Sequence, residues 1–446
     1  MKALIIAAGR GNRLKHRFSP KPLTPIFGLS LIERILLTSK LAGIDEFVVV
    51  VGYKSHKIIK KLGDGEKYGV KIKYVTNTEW EKGNGISVLK GREYLKNENF
   101  ILLMSDHLFN ESILKKLKEI ELKDNDCVLC IDRNLNSKNF DISDATKAWV
   151  ENGCIKKIGK DIDNYNVIDT GIFLCSPAMF DALDESVSKG ESSLSAGNQI
   201  LSDNGDLKIL DITGNFWVDV DDDVSLKRAK KILINSLTKL TDGPISKFLN
   251  RIFSTSISSK LASYNISPNQ LTIFSFVMAL LAALFFYFGN SYIPIVIGGI
   301  LAQFSSIVDG CDGEIARLKF KHSEFGTWLD RILDRYADGL IIVGITNYCL
   351  RTSSNELVWL VGFLALIGTF MNSYSAIPYD EILKNSIISH RNSFRLGRDI
   401  RLFVVFVGAI FNQLFLTLIF FAIITNIETV RRLFVIKYEY RFNERN

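Results

Sequence analysis

Cysteine is sparse in this chain of 446 residues: six are scattered along it. The closest pair, Cys127 and Cys130 in "DCVLCID", reads as part of a buried strand. Residues three apart on a strand point to opposite faces, which argues against a zinc or redox role for this CxxC. A strong excess of one charge is also missing, since 55 Lys and Arg stand against 48 Asp and Glu for a net charge of +7. The surplus lies near apolar segments, which fits attraction to anionic lipid headgroups better than nucleic acid binding. The opening "MKALIIAAGRGNRL" has too short an apolar core for a signal peptide, so the N-terminal half is expected in the cytosol. Most telling is the absence of any charge from Leu261 to Val308.

The first 240 residues are rich in Lys, Asp, Glu and Asn. "KALIIAAG" (Lys2–Gly9), "EFVVVVG" (Glu46–Gly52), "KIKYV" (Lys71–Val75), "FILLMSD" (Phe100–Asp106) and "CVLCID" (Cys127–Asp132) read as strands. Helical patterns such as "SLIERILLTSKLAG" lie between them. This alternation predicts an open, Rossmann-like mixed α/β sheet whose strands are mostly parallel. Ligands bind such sheets at the carboxyl ends of the strands, so the ends at Gly9, Asp106 and Asp219 are candidates for one site. Gly9 and Gly11 let backbone amides approach a triphosphate, and Arg13 and Lys21 can neutralise it.

"AAGRGNRL" followed by "SPKPLTPIFGLSLIER" resembles the sugar-nucleotidyltransferase signature, and the resemblance covers roughly residues 1–235. It implies that Gly9, Gly11, Arg13 and Lys21 hold the nucleoside triphosphate, with Arg13 and Lys21 acting in catalysis. Lys82, Gly83 and Asn84 of "KGNGIS" would sit against the base. Asp106 of "MSDH" would bind magnesium, and "WVDVDDD" would supply a second metal carboxylate, Asp219 or Asp221. On a strand these two share a face, so phase alone does not choose between them. Lys160 would meet the acceptor phosphate, and Asp169 and Gly171 the polyol. Attack of one anion on another requires metal and cationic side chains to offset the repulsion.

Beyond residue 240 the composition changes. Leu271–Phe288, Tyr292–Val308, Leu340–Leu350, Leu357–Tyr379 and Leu402–Ile427 carry no charge. Uncharged apolar stretches of about 18 residues or more read as membrane spans. Residues 241–267 form a linker in which Lys247, Arg251 and Lys260 alternate with Phe248, Leu249, Ile252 and Phe253, as in an amphipathic helix lying in the headgroup layer. The last uncharged stretch could be one helix or a hairpin turning near Asn412–Gln413. A single helix would leave the terminal arginines outside, against the positive-inside rule. The expectation is an all-α domain over 268–446 with six transmembrane helices and both chain ends cytosolic.

Between spans two and three stands D-x2-D-G-x2-A-R-x8-G-x3-D-x3-D: Asp309, Asp312, Gly313, Ala316, Arg317, Gly326, Asp330 and Asp334. Asp309 and Asp312 share one helix face at the end of span two, and Asp330 and Asp334 share another. Carboxylates in a membrane helix are costly unless they meet cations. Hard oxygen ligands suit magnesium, manganese or calcium, and four aspartates suit two ions. Gly313 and Ala316 leave room for a nucleotide. His322 and Glu324 read as solvated loop residues.

This motif is the signature of the CDP-alcohol phosphotransferases, and the resemblance covers about residues 243–440. It implies that Asp309, Asp312 and Asp330 hold metal, and that Asp334 contributes to the metals and serves as base. Asn269, Thr272, Gly313, Ala316, Arg317 and Gly326 would line the nucleotide. Arg391, Arg395, Arg398 and Arg401 are too many cations for a plain alcohol and suit a phosphorylated acceptor. The whole chain resembles the bifunctional family that joins an inositol-phosphate cytidylyltransferase to a CDP-inositol-consuming phosphotransferase. The resemblance implies CTP, CDP-inositol and inositol 1-phosphate as substrates, Mg2+ as cofactor, and a membrane-embedded homodimer. A phospholipid synthase using CDP-diacylglycerol and a membrane-tethered nucleotide sensor are the competing readings.

Overall fold

The computed structural model describes residues 1–11, 20–123, 125–136, 140–238, 242–353, 355–383 and 396–443. Arg13, Arg391 and Arg395 lie outside the described residues. The chain forms two compact units, Met1–Leu233 and Ile234–Asn446.

The first unit is built on a nine-stranded sheet. Its strands are β1 (Lys2–Ala7), β2 (Glu46–Val51), β3 (Lys71–Thr76), β4 (Phe100–Met104), β6 (Cys127–Asp132), β7 (Lys147–Glu151), β8 (Cys154–Gly159), β9 (Val167–Cys175) and β10 (Leu207–Asp211). A separate two-stranded ribbon pairs β5 (His107–Phe109) with β11 (Trp217–Asp219). The main path runs β8-β7-β9-β4-β1-β2-β3, with β6 beside β9 and β10 beside β6. The sheet is mixed, as expected, but its parallel pairings do not predominate. β9 runs against β4, β6 and β7, and β7–β8 is antiparallel too. Periodicity reveals a strand but not its direction, which the connections set.

Alternation along each strand feeds two cores. Ala3, Ile5 and Ala7 enter one, and Leu4, Ile6 and Ala8 the other. Cys127 and Cys130 fall into opposite cores, as their spacing requires. Each fully buried Leu, Ile or Phe contributes on the order of 1.5–3 kcal/mol relative to exposure. That fixes the carboxyl ends of β1 and β4, from which the loops at Gly9 and Asp106 emerge.

The second unit begins with a helical segment, Ser246–Asn250 running into Arg251–Leu261. Among the described residues six further helices follow: α1 (Pro268–Phe288), α2 (Tyr292–Leu318), α3 (Glu324–Thr352), α4 (Leu357–Leu383), α5 (Arg398–Ile410) and α6 (Leu414–Asn443). Helix α1 starts where Ser267 and Gln270 form a capping box with Pro268 at the first position, the sequence signature of a helix start. Among the described residues, four helices (α1, α2, α4 and α6) are long and apolar enough to cross a membrane. Helix α3 carries Asp330, Arg331, Asp334, Arg335 and Asp338, and α5 has only 13 residues. The hairpin expected near Asn412–Gln413 is present: Asn412 takes φ 53° between α5 and α6.

Two expectations are corrected here. Asp309 and Asp312 do not end α2, which continues to Leu318. In the linker segment Phe248, Ile252 and Phe253 are exposed, while Arg251 turns inward to pair with Asp242 at 2.9 Å and with the fully buried Glu314. A buried carboxylate needs a cation more than a headgroup does, so Arg251 serves the protein interior.

Candidate active sites

The first site lies in a cavity of about 830 Å³ whose lining includes Asn84, Asp106, His107, Asp144, Lys160, Asp169, Gly171, Asp219, Asp221 and Arg228. Asp106 follows β4, and the β5–β11 ribbon sets Asp219 directly opposite His107. Trp217, two residues earlier, locks the ribbon: it is buried, stacks on Phe140 at 5.3 Å and donates its indole N–H to Asp132 at 2.8 Å. Lys21 Nζ sits 2.5 Å from Asp106 Oδ2 and also pairs with Asp221. Gly11, at φ +66°, lies so close to Lys21 that a Cβ there would come within 2.5 Å of the lysine Cβ. The glycine thus brings the loop onto the lysine, a position other residues would reach only with strain.

Electrostatics bind these groups together. Burial would lower the Lys21 pKa, but Asp106, Asp219 and Asp221 outweigh it and hold the lysine firmly charged. Burial likewise opposes the charge on Asp219, yet His107 and Lys21 keep it below the usual carboxylate range. Asp221 is pushed up to about 6, first by burial and then by Asp219. Burial disfavours a charged His107, but with Asp219 and Asp106 beside it the imidazole is pushed up to about 9. Asp169 is pushed up to about 6 by burial, in spite of the Gly171 N–H that it accepts at 2.7 Å.

Strand phase does not carry from Asp219 to Asp221, because β11 ends at Asp219. Asp106, His107 and Asp219 each offer an atom within 4.8 Å of the others; Asp221 faces Lys21 instead. Lys160 pairs with Asp144 at 2.9 Å on the cavity wall. Of the base loop, Asn84 lines the cavity, while Lys82 pairs with Glu79. Gly83 abuts Ser192, whose carbonyl oxygen would be 2.2 Å from a Cβ. Asn84 also caps the Leu194–Asp203 helix by accepting from Leu194 N at 2.8 Å. This loop is thereby fastened to the 192–194 segment.

The second site is a cavity of about 320 Å³ in the helical unit, lined in part by Asn269, Thr272, Asp309, Asp312, Gly313, Ala316, Arg317, Gly326, Asp330 and Arg398. Helices α2 and α3 supply the carboxylates, and Asp309, Asp330 and Asp334 offer oxygens within 4.8 Å of one another. Asp312 accepts from Thr272 at 2.5 Å. Arg317 donates to the Leu237 carbonyl at 3.1 Å. Gly326 lies against Asn269, whose Oδ1 would be 3.0 Å from a Cβ. Arg398, at the start of α5, reaches Asp309 at 2.9 Å and Asp334 at 2.6 Å. Arg401 is buried and bound to Asp338 at 2.7 Å, so of the two expected acceptor arginines that are described, Arg398 lines the cavity and Arg401 does not.

Both halves match known families. The Nucleotidyl transferase family matches residues 2–236 and the CDP-alcohol phosphatidyltransferase family residues 265–430. A protein of Aquifex aeolicus described as "Bifunctional IPC transferase and DIPP synthase" is 32% identical over 97% of this chain and 97% of its own length. Its namesake in Archaeoglobus fulgidus is 33% identical over 94% of this chain and 80% of its own. The chain belongs to this bifunctional family. Its second half is also 33% identical, over 41% of this chain and 89% of the relative, to "Archaetidylinositol phosphate synthase" of Pyrococcus horikoshii.

In this bifunctional IPC transferase and DIPP synthase family member, the sequence motifs leave three site residues unannounced. His107 follows Asp106 directly, but nothing in "MSDH" announces that a remote strand will face it. Asp338 stands one helical turn beyond Asp334, and the i, i+4 repeat Asp330–Asp334–Asp338 was a usable signal. His322 is an exposed loop residue, as expected, at the rim of the second cavity. Arg228, which lines the first, sits on the Asp223–Asn235 helix without any motif.

Proposed function

We propose that the protein makes CDP-inositol from CTP and inositol 1-phosphate, then transfers phosphoinositol from CDP-inositol to a second inositol 1-phosphate. The products are CMP and di-myo-inositol phosphate phosphate. One observation carries the reading: a single chain holds two sites that each gather carboxylates around a cation, the buried Lys21 in one and the partly buried Arg398 in the other.

In the first transfer, an oxygen of the acceptor phosphate attacks the α-phosphorus of CTP and the bond to the bridging oxygen breaks, releasing pyrophosphate. Gly9 and Gly11 bring backbone amides to the triphosphate, and Lys21, with Arg13, neutralises it. Lys160 receives the acceptor phosphate, while Asp169 and the Gly171 backbone meet its hydroxyls. In the second transfer, Asp334 takes the proton of an acceptor hydroxyl, whose oxygen attacks the inositol-bearing phosphorus as the bond to CMP breaks. Arg398 holds the acceptor's phosphate beside that base. Asn269, Thr272, Gly313, Ala316, Arg317 and Gly326 shape the nucleotide's bed, and Arg401 fixes Asp338 behind it.

The donor sets fit divalent cations. Asp106 with Asp219, and Asp309, Asp312, Asp330 and Asp334, offer the hard oxygens that Mg2+ prefers. A bound ion at each place supplies charge neutralisation of the phosphates and of the transition state. In domain terms, residues 1–240 carry the first activity, 241–267 link, and 268–446 carry the second. We read α1–α6 as six spans, α3 and α5 crossing with their polar faces turned to the site, with both ends cytosolic and a homodimer formed through the membrane domain.

The test is direct. Purified protein is incubated with radiolabelled CTP and a panel of phosphorylated polyols, and the products are identified. Labelled CDP-inositol followed by CMP release is expected with inositol 1-phosphate. The likeness to a lipid-modifying synthase supports a second reading, in which a CDP-activated lipid is the donor. Faster CMP release from a CDP-lipid than from CDP-inositol would replace our reading with that one.

A further inference from the structure

His107 has a built environment and no role in the mechanism so far. Its Nδ1 lies 2.8 Å from the Thr170 carbonyl oxygen. A carbonyl can only accept, so Nδ1 carries the hydrogen and Nε2 is the atom that faces the site. Gly171 makes room for the ring: at φ +69°, a Cβ there would stand 2.3 Å from His107 Cε1 and 2.4 Å from Nδ1.

Nε2 meets both carboxylates from one side, at 3.5 Å from Asp219 Oδ1 and 3.7 Å from Asp106 Oδ1. Charge-assisted N–H···O contacts are shorter, about 2.7–2.9 Å. The neighbouring ligand atoms of an octahedral ion with bonds of about 2.1 Å stand about 3 Å apart, so a small inward shift of this trio would close around one. Lys21 occupies the other oxygen of Asp106, Oδ2, and leaves Oδ1 facing the imidazole. An imidazole whose far nitrogen donates to a backbone carbonyl is the arrangement in which metal-bound histidines are held.

We propose that His107 Nε2 is a third protein ligand of the divalent ion held by Asp106 and Asp219. The inference rests on reading the first site as a metal-dependent cytidylyltransferase. It makes the two sites of one chain chemically unlike: one nitrogen with two carboxylates in the first, carboxylates in the second. Imidazole suits manganese, cobalt and zinc, whereas an oxygen-only set suits magnesium, manganese and calcium.

The test uses the full chain in detergent with Mn2+ and a non-hydrolysable CTP analogue, read by pulsed electron paramagnetic resonance. Wild type and His322→Gln should show coupling to a directly bound imidazole nitrogen, changed in character by ¹⁵N-histidine labelling. His107→Gln should lose that coupling, and its Mn2+ affinity at the first site should fall about 10-fold or more. Mn2+ binding that depends on Asp106 but carries no histidine coupling in wild type overturns the inference and leaves the cytidylyltransferase reading standing. Coupling that persists in His107→Gln overturns it as well. Absence of any Asp106-dependent Mn2+ binding sinks both.

Discussion

The two sites solve one problem by different means. Each places a cation among carboxylates that would otherwise repel each other, yet the residues come together differently. In the first unit Lys21 meets Asp106 and Asp221 from 85 and 200 positions away, and the β5–β11 ribbon delivers Asp219 to His107. In the second unit all four motif aspartates lie between 309 and 334 on two successive helices, and their cation, Arg398, comes from a distance. A helix gathers side chains by its own period, whereas a sheet gathers them by its connections. Local chemistry is therefore compact in one half of the molecule and dispersed in the other.

The sharpest test of this comparison is independence. Asp309→Asn or Asp330→Asn should cut CMP release from supplied CDP-inositol by about three orders of magnitude, the equivalent of ~4 kcal/mol of transition-state stabilisation. CDP-inositol synthesis, measured on the same preparations, should continue. Asp106→Asn should give the converse pattern. A single substitution that silences both reactions would break the two-site picture. Asp334→Asn should slow CMP release by about 100-fold or more while metal-dependent CDP-inositol binding, followed by calorimetry, survives. Equal loss of binding would make Asp334 a ligand only.

A structural counterpart concerns Asp338. Removing its charge leaves Arg401 buried without its carboxylate, and breaking such a pair typically costs about 3–5 kcal/mol. Thermal unfolding of Asp338→Asn in detergent should show this loss, with CDP-inositol synthesis preserved. A smaller effect belongs to Asp169. Burial raises its pKa to about 6, so it is ionised above that pH and neutral below. The KM for inositol 1-phosphate should rise as pH falls through 6, and Asp169→Asn should flatten the difference. The same shift has a stability sign: the group's contribution is fully present below about pH 4 and lost as pH rises through 6. Asp169→Asn should remove that slope in unfolding experiments. Least change is expected from truncation after residue 240, which should leave CDP-inositol synthesis in solution; a folded but inactive fragment would show that the second unit completes the first site.

The legibility of the two halves follows the same division. The span from Asp309 to Asp334 could be read directly, because three- and four-residue spacings on a helix place side chains on one face wherever the helix lies. The strands were readable too, since alternation of apolar residues is a local property: Leu4 and Ile5 enter different cores whatever surrounds them. Tertiary structure alone decided the direction of β9, the pairing of Asp221 with Lys21, and the partner of Arg401. Strand direction depends on where the chain must return, and β11 stops at Asp219, so strand alternation says nothing of Asp221. Arg251 turned inward because Glu314, 63 positions on, is buried and needs a cation. Spacing determines which residues share a face, but only the fold brings two remote faces together, and the energy that decides between them arises where charges are desolvated side by side.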